Sequence, residues 1–228
     1  PRLAQDWHVV AVDLPGHGFT QLCARHRSVL DDTAQDIAAL CAREGWRLDT
    51  IVGHSAGGAV ALRLAQNDLS PRGQTPLVIG INAALSEFKG VAGLLFPAMA
   101  KALAAVPFTA RLFSGASANP ARIKALIDST GSVLDAEGLA LYRRLVSDRD
   151  HVDGTLIMMA QWRLNPLLAR LKNHQGPVHF IVGDQDKTVS PRVSEDAVKL
   201  IAGAQVHHIA DLGHLAHEER PAEVAGLI

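Results

Sequence analysis

The pentapeptide Gly53-His54-Ser55-Ala56-Gly57 constrains this chain more than any other feature, because of what flanks it. A β-branched apolar run, Thr50-Ile51-Val52, precedes it, and a helix-forming stretch from Ala59 to Ala65 follows. A serine at a tight strand-to-helix turn is forced into a sparsely populated backbone conformation, and small residues two positions either side, Gly53 and Gly57, keep the turn from clashing with its neighbours. The hydroxyl is then pushed clear of the sheet, where a base can reach it. Such a turn also aims the amide of Ala56 at the place where negative charge develops on an attacked carbonyl, and the start of the following helix adds partial positive charge there. The pentapeptide alone is a weak motif, so the residues further along have to carry the reading.

They follow in a definite order. Pro177 to Val182 reads as a buried strand with Gly183-Asp184-Gln185-Asp186 at its carboxyl end, and a second short strand, Gln205 to Ile209, leads into Asp211-Leu212-Gly213-His214. A serine at a turn, an acid after a late strand and a histidine after the last strand make an ordered set for nucleophilic acyl transfer. Ser55 would attack a carbonyl and His214 would take its proton and return it to the leaving group. An acid would hold the imidazole in the productive tautomer. Asp184 and Asp186 compete for that last role.

Taken together, Asp13-Leu14-Pro15-Gly16-His17-Gly18 after a strand expected at His8 to Val12, the Ser55 turn, the Gly183 to Asp186 loop and Gly213-His214 resemble the α/β-hydrolase superfamily over the whole chain. More narrowly, the segments 13–20, 52–57, 80–85, 139–142 and 213–218 resemble the magnesium-chelatase accessory proteins of bacteriochlorophyll synthesis. The broad resemblance implies an α/β fold: a mostly parallel sheet with helices on both faces and an inserted helical cap. Its G-x-x-D pattern points to Asp186 rather than Asp184 as the third member beside Ser55 and His214, with Ala56 in the oxyanion hole. A serine at the turn excludes the aspartate-nucleophile chemistry of haloalkane dehalogenases and epoxide hydrolases. The resemblance further implies that the sheet's opening strands and a His-Gly oxyanion loop precede Pro1, and that the protein is cytoplasmic. Its expected partners are an apolar small-molecule substrate, with a porphyrin among the candidates, and magnesium chelatase. The competing implication is a non-catalytic protein that binds or delivers a porphyrin during magnesium insertion.

Composition narrows the field. With 22 basic and 23 acidic side chains the net charge is -1, which gives no electrostatic case for nucleic acid. Cys23 and Cys41 lack metal or disulfide spacing, and no cofactor is expected. His207, His208, His214 and His217 are clustered in sequence, but adjacent strand residues face opposite ways, so His207 and His208 cannot share a metal. The most apolar stretch, Val91 to Met99, is interrupted by Pro97 and bracketed by Lys89 and Lys101, so no transmembrane segment is expected.

The expected organisation is a hydrolase core over 1–84 and 176–228 and a helical cap over 85–175. Within the core, Asp31-Asp32-Thr33 offers an N-cap to a helix with Ile37, Leu40 and Cys41 on one face and Gly45 as its stop. Leu77 to Ile81 reads as a strand. In the cap, helical spacing runs through Leu94, Leu95, Met99 and Leu103, then Ile123, Leu126 and Ile127, then Leu139, Tyr142, Leu145 and Val146, then Leu156, Met159, Trp162 and Arg163. Phe96, Phe113 and Met158 add to its apolar content, and Asn119-Pro120 and Gly131-Ser132 mark its joints.

Overall fold

Among the described residues four strands pair into one parallel sheet: β1 (Thr50–His54), β2 (Leu77–Ile81), β3 (Val178–Gly183) and β4 (Gln205–Ile209), side by side in that order. The computed structural model describes residues 2–22, 24–66, 75–86 and 119–228. Cys23, the expected helical positions Leu94, Leu95, Met99 and Leu103, and the cap residues Phe96 and Phe113 lie outside them. Register runs Val52↔Ile79, Ile79↔His179 and His179↔Gln205, so that one row of side chains crosses the whole sheet. The central strands β2 and β3 are buried almost throughout, which is why they read as continuous apolar runs rather than alternating ones.

Each sheet face has its own helices. On one face, α1 (Leu30–Glu44) and α2 (Ala56–Leu64) pack through Ile37, Cys41 and Leu64 onto Ile51. On the other, Ile79, Ile81, Ile181 and Ile209 meet Leu212, Ala216 and Val224 from the C-terminal segment, which carries the short helices Ala216–Glu219 and Pro221–Ala225. Burying each such aliphatic side chain stabilises the fold by about 1.5–3 kcal/mol. Helix α1 begins at Leu30, so Asp31 and Asp32 lie in its first turn and favour its positive end rather than capping it. Gly45, left-handed at φ 68°, closes it: Trp46 N–H returns to Cys41 O at 2.8 Å and Gly45 N–H to Ala42 O at 3.3 Å.

The chain forms two compact units. Among the described residues the sheet unit holds 30–66, 75–86, 129–133 and 163–228, and the other holds 2–22, 24–29, 119–128 and 134–162. In this second unit α3 (Pro120–Ser129, the last residue excepted) starts where Asn119 Oδ1 accepts Ala121 N–H. Asp135 caps α4 (Ala136–Ser147) through Gly138 N–H, and Asp148 caps α5 (Arg149–Gln161) through the amides of Asp150 and His151.

One expectation fails locally: among the described residues the run His8 to Val12 joins no ladder and is no strand, and Val9 is 47% exposed. On α5 the buried stripe is Gly154, Ile157 and Ala160, with Met159 38% exposed, because Gly154 packs against the backbone of Gly16 and thereby sets the helix rotation. On α4 no residue is fully buried, and Leu145 is exposed.

Candidate active site

The carboxyl ends of all four strands converge on one group of side chains within the sheet unit. Crevices outside the carboxyl ends of parallel strands are where open α/β sheets place ligands. Ser55 follows β1 directly, with φ 52° and ψ -119°, a conformation that costs a non-glycine residue about 1–3 kcal/mol. The turn is held against β2: Ser55 N–H donates to Ile81 O at 2.9 Å, and Ser55 O accepts Gly58 N–H at 3.0 Å and Ala84 N–H at 2.9 Å. Gly53 is required by close approach, since a Cβ there would stand 2.1 Å from Gly57 O. Gly57 is not the second tight position, for a Cβ on it would meet no described atom within 4 Å. That role falls to Gly58, whose Cβ would lie 2.5 Å from that of Ala83.

Ser55, Asp186 and His214 come together. His214 Nε2 lies 3.0 Å from Ser55 Oγ, and His214 Nδ1 lies 2.7 Å from Asp186 Oδ2. A carboxylate only accepts, so Nδ1 carries the proton and Nε2 of the neutral ring accepts the Ser55 hydroxyl. The other oxygen of Asp186 accepts the amides of Thr188 at 2.7 Å and Val189 at 2.8 Å, which fixes the carboxylate from behind. Asp186 is 8% and His214 6% exposed, so the pair is screened little by water. Asp184, two residues earlier, instead accepts His208 Nδ1–H at 2.6 Å on the exposed side. Ala56 is the first residue of α2, so its N–H has no partner within the helix.

A second set of groups holds the His214 loop. Asn82, immediately after β2, donates from Nδ2 to Gly213 O at 2.9 Å and His214 O at 2.8 Å, and accepts Gly183 N–H on Oδ1 at 2.8 Å. His54 Nε2–H donates to the same His214 O at 2.8 Å. Thr130 O accepts both His214 N–H and Lys187 N–H, Ser132 Oγ accepts Leu215 N–H, and Glu219 accepts the amides of Gly213 and Val133. Burial pushes the His54 imidazole down to about 3, with His217 and His214 adding like-charge repulsion; its ring stands 4.4 Å from that of His217 and 4.7 Å from that of His214. Asn82, Thr130 and Glu219 were not singled out by sequence reasoning, and Ser132 only as a joint of the cap. For Asn82 there was a signal: an amide ending a buried apolar strand, between two strands whose ends carry candidate residues.

Among the described residues no group of three or more histidine, cysteine, aspartate or glutamate side chains could hold a metal ion, and no helix is long and apolar enough to cross a membrane.

Comparison with known proteins adds relatives to this geometry. A family model described as "Alpha/beta hydrolase family" matches residues 1–227. The magnesium-chelatase 30 kDa subunit of Rhodobacter capsulatus is 45% identical over 228 residues, which is 100% of this chain and 78% of that protein. Among solved structures, the epoxide hydrolase CorEH matches with a TM-score of 0.76 at 18% identity, over 99% of this chain and 81% of its own. The esterase EaEST from Exiguobacterium antarcticum matches with a TM-score of 0.71 at 16% identity, over 94% of this chain and 77% of its own. At such identities the structural matches speak for the fold.

Proposed function

The chain belongs to the alpha/beta hydrolase family, and from that premise we propose that it is a serine hydrolase cleaving an ester or other acyl bond of a largely apolar small molecule. The observation that carries the proposal is the unbroken hydrogen-bonded run from Asp186 through His214 to Ser55. Ser55 Oγ attacks the substrate carbonyl carbon while its proton passes to His214 Nε2. Asp186, held by two backbone amides, stabilises the imidazolium that forms. Negative charge on the former carbonyl oxygen is met by Ala56 N–H and the positive end of α2. The tetrahedral carbon then expels the alcohol, which takes the proton from Nε2, and leaves an acyl-Ser55. Water, deprotonated by the same nitrogen, attacks the acyl carbon; a carboxylic acid departs and Ser55 recovers its proton.

The 45% identity to a magnesium-chelatase subunit supports placing this hydrolase beside magnesium chelatase, in the cytoplasm of a phototroph making bacteriochlorophyll. The same likeness favours a second reading, in which the protein binds or delivers a porphyrin and performs no chemistry. One substitution separates the two. Ser55→Ala removes the nucleophile and little volume, so acyl transfer falls by many orders of magnitude whereas binding survives. A fluorophosphonate probe is expected to label Ser55 of the wild type, and Ser55→Ala is expected not to restore pigment in a deletion host. Full pigment with Ser55→Ala would leave the accessory reading in place.

A further inference from the structure

We infer that Asn82 is a positioning residue that sets the reach of His214 toward Ser55 and Asp186, a step that rests on the hydrolase reading above. The amide sits in the left-handed region at φ 45° and is 2% exposed. Either feature alone is costly: the backbone by about 1–3 kcal/mol, and an unpaired buried amide by a comparable amount. Every polar atom of the side chain is spoken for, however. Gly183 N–H can only donate and so requires Oδ1, which turns both Nδ2 hydrogens toward two carbonyls, those of Gly213 and His214. The orientation is therefore forced by the partners and admits no flip.

Those partners are what make the side chain more than a core amide. Its own N–H continues the sheet, donating to Ile181 O at 2.9 Å. Its side chain ties the end of β3, from which the Asp186 loop departs, to the two residues that present the imidazole. His214 O receives Asn82 from the end of β2 and His54 from the end of β1. His214 N–H is taken by Thr130 O at 3.3 Å. With the peptide groups on both sides of His214 anchored, the ring has little freedom left except rotation about its own side-chain bonds, and two further hydrogen bonds fix that rotation. A displacement near 1 Å in such a group costs about 100-fold in rate.

Asn82→Gly and Asn82→Asp test this. Glycine takes φ 45° without strain and removes all three side-chain bonds. Aspartate also tolerates that conformation and keeps the acceptor for Gly183 N–H, but sets an oxygen against the two carbonyls. Fluorophosphonate labelling of Ser55 would be measured, with folding checked by circular dichroism, together with the downfield proton resonance of His214 Nδ1–H. Both variants are expected to label 10- to 100-fold more slowly, with turnover of p-nitrophenyl butyrate lowered in kcat rather than KM. The Nδ1–H resonance should broaden or vanish. Should the glycine variant not fold, the aspartate variant carries the rate, the resonance and the kcat comparison. A folded variant with wild-type rate and resonance would overturn the inference while leaving the hydrolase intact. Absence of labelling in the wild type, with the resonance still lost in the variants, would overturn the hydrolase reading and leave the positioning role standing.

Discussion

Two regions of the molecule are assembled from the same residue types and reach opposite ends. In the helical unit, the turn from Asp13 to Phe19 holds Gly16 and Gly18 at positive φ, His17 Nδ1–H donates to Pro15 O, and Asp13 accepts Phe19 N–H; Gly18 N–H donates to His151 on α5. In the sheet unit, Gly53-His54-Ser55 and Asn82 meet Asp186 and His214 at the strand ends. The left-handed positions in the first region are glycines, which adopt them without strain. At the strand ends of the second they are Ser55, which is strained there, and Asn82, one of the few non-glycine types that visit that region. Polar groups in the helical unit mostly satisfy the backbone nearby, as a clasp does. Those at the strand ends of the sheet unit bond across the fold. Strain on a non-glycine residue, together with polar groups locked to distant partners, distinguishes the candidate site from the turn.

The sharpest way to break this contrast is to exchange carboxylate for amide at the two neighbouring acids. Asp186→Asn leaves a group that can present a donor to Nδ1 and so favours the wrong tautomer; a loss of about four orders of magnitude in turnover is expected. Asp184→Asn, on the exposed His208 pair, is expected to change turnover by less than about threefold, as surface pairs contribute little. Equal losses at the two positions would show that the His208 pair belongs to the site.

Acid tolerance sharpens the same contrast. His54 is neutral in the fold, with its proton affinity pushed down to about 3 from an ordinary value of 6.5. Below pH 6.5 the unfolded chain therefore binds a proton that the native state refuses. The stability is complete above that pH and is lost progressively as pH falls toward 3, at about 1.4 kcal/mol per pH unit. Urea midpoints measured across this window should fall less steeply in His54→Gln than in wild type. His151 is also lowered, by burial and His17, but Asp148 and Asp13 oppose the shift. Accordingly His151→Gln should flatten the curve less, and a larger effect there would reverse the ranking of the two regions.

The smallest expected effect on chemistry comes from Gly154→Ala. A Cβ there would lie 2.3 Å from Gly16 O, so backbone must shift, at about 1–3 kcal/mol of stability. The melting temperature should drop while fluorophosphonate labelling of the folded protein stays within twofold. Slowed labelling would mean that the clasp and the reacting site are coupled.

Local pattern made much of this legible. Thr50-Ile51-Val52, Leu77 to Ile81, Val178 to Val182 and Gln205 to Ile209 all stand as strands; the two central ones, Leu77 to Ile81 and Val178 to Val182, read as apolar runs because buried parallel strands need uninterrupted apolar residues. His8 to Val12 has the same wording and is no strand, because a ladder is a property of two segments and a sequence shows only one. The rotation of α5 was not legible in the sequence. Its buried stripe is Gly154, Ile157 and Ala160, with a glycine-to-backbone contact at Gly16, and glycine adds nothing to an apolar pattern.

The order Ser55, then an acid, then His214 was written in the chain, because the strand-to-helix turn and the loops after β3 and β4 are local in sequence. The choice between Asp184 and Asp186 was settled there only by family pattern; in the fold, β3–β4 pairing sets Val182 beside His208, and Asp184 bonds to that histidine while Asp186 bonds to His214. For Asn82 the sequence offered only its place at the end of a buried apolar strand, and not its three side-chain bonds, whose partners lie 101, 131 and 132 residues away. Sequence determined which residues could fold locally and which chemistry they could offer. Tertiary structure decided which of them meet, because hydrogen bonding is directional and short in range, and only the parallel sheet brings four distant strand ends within its reach.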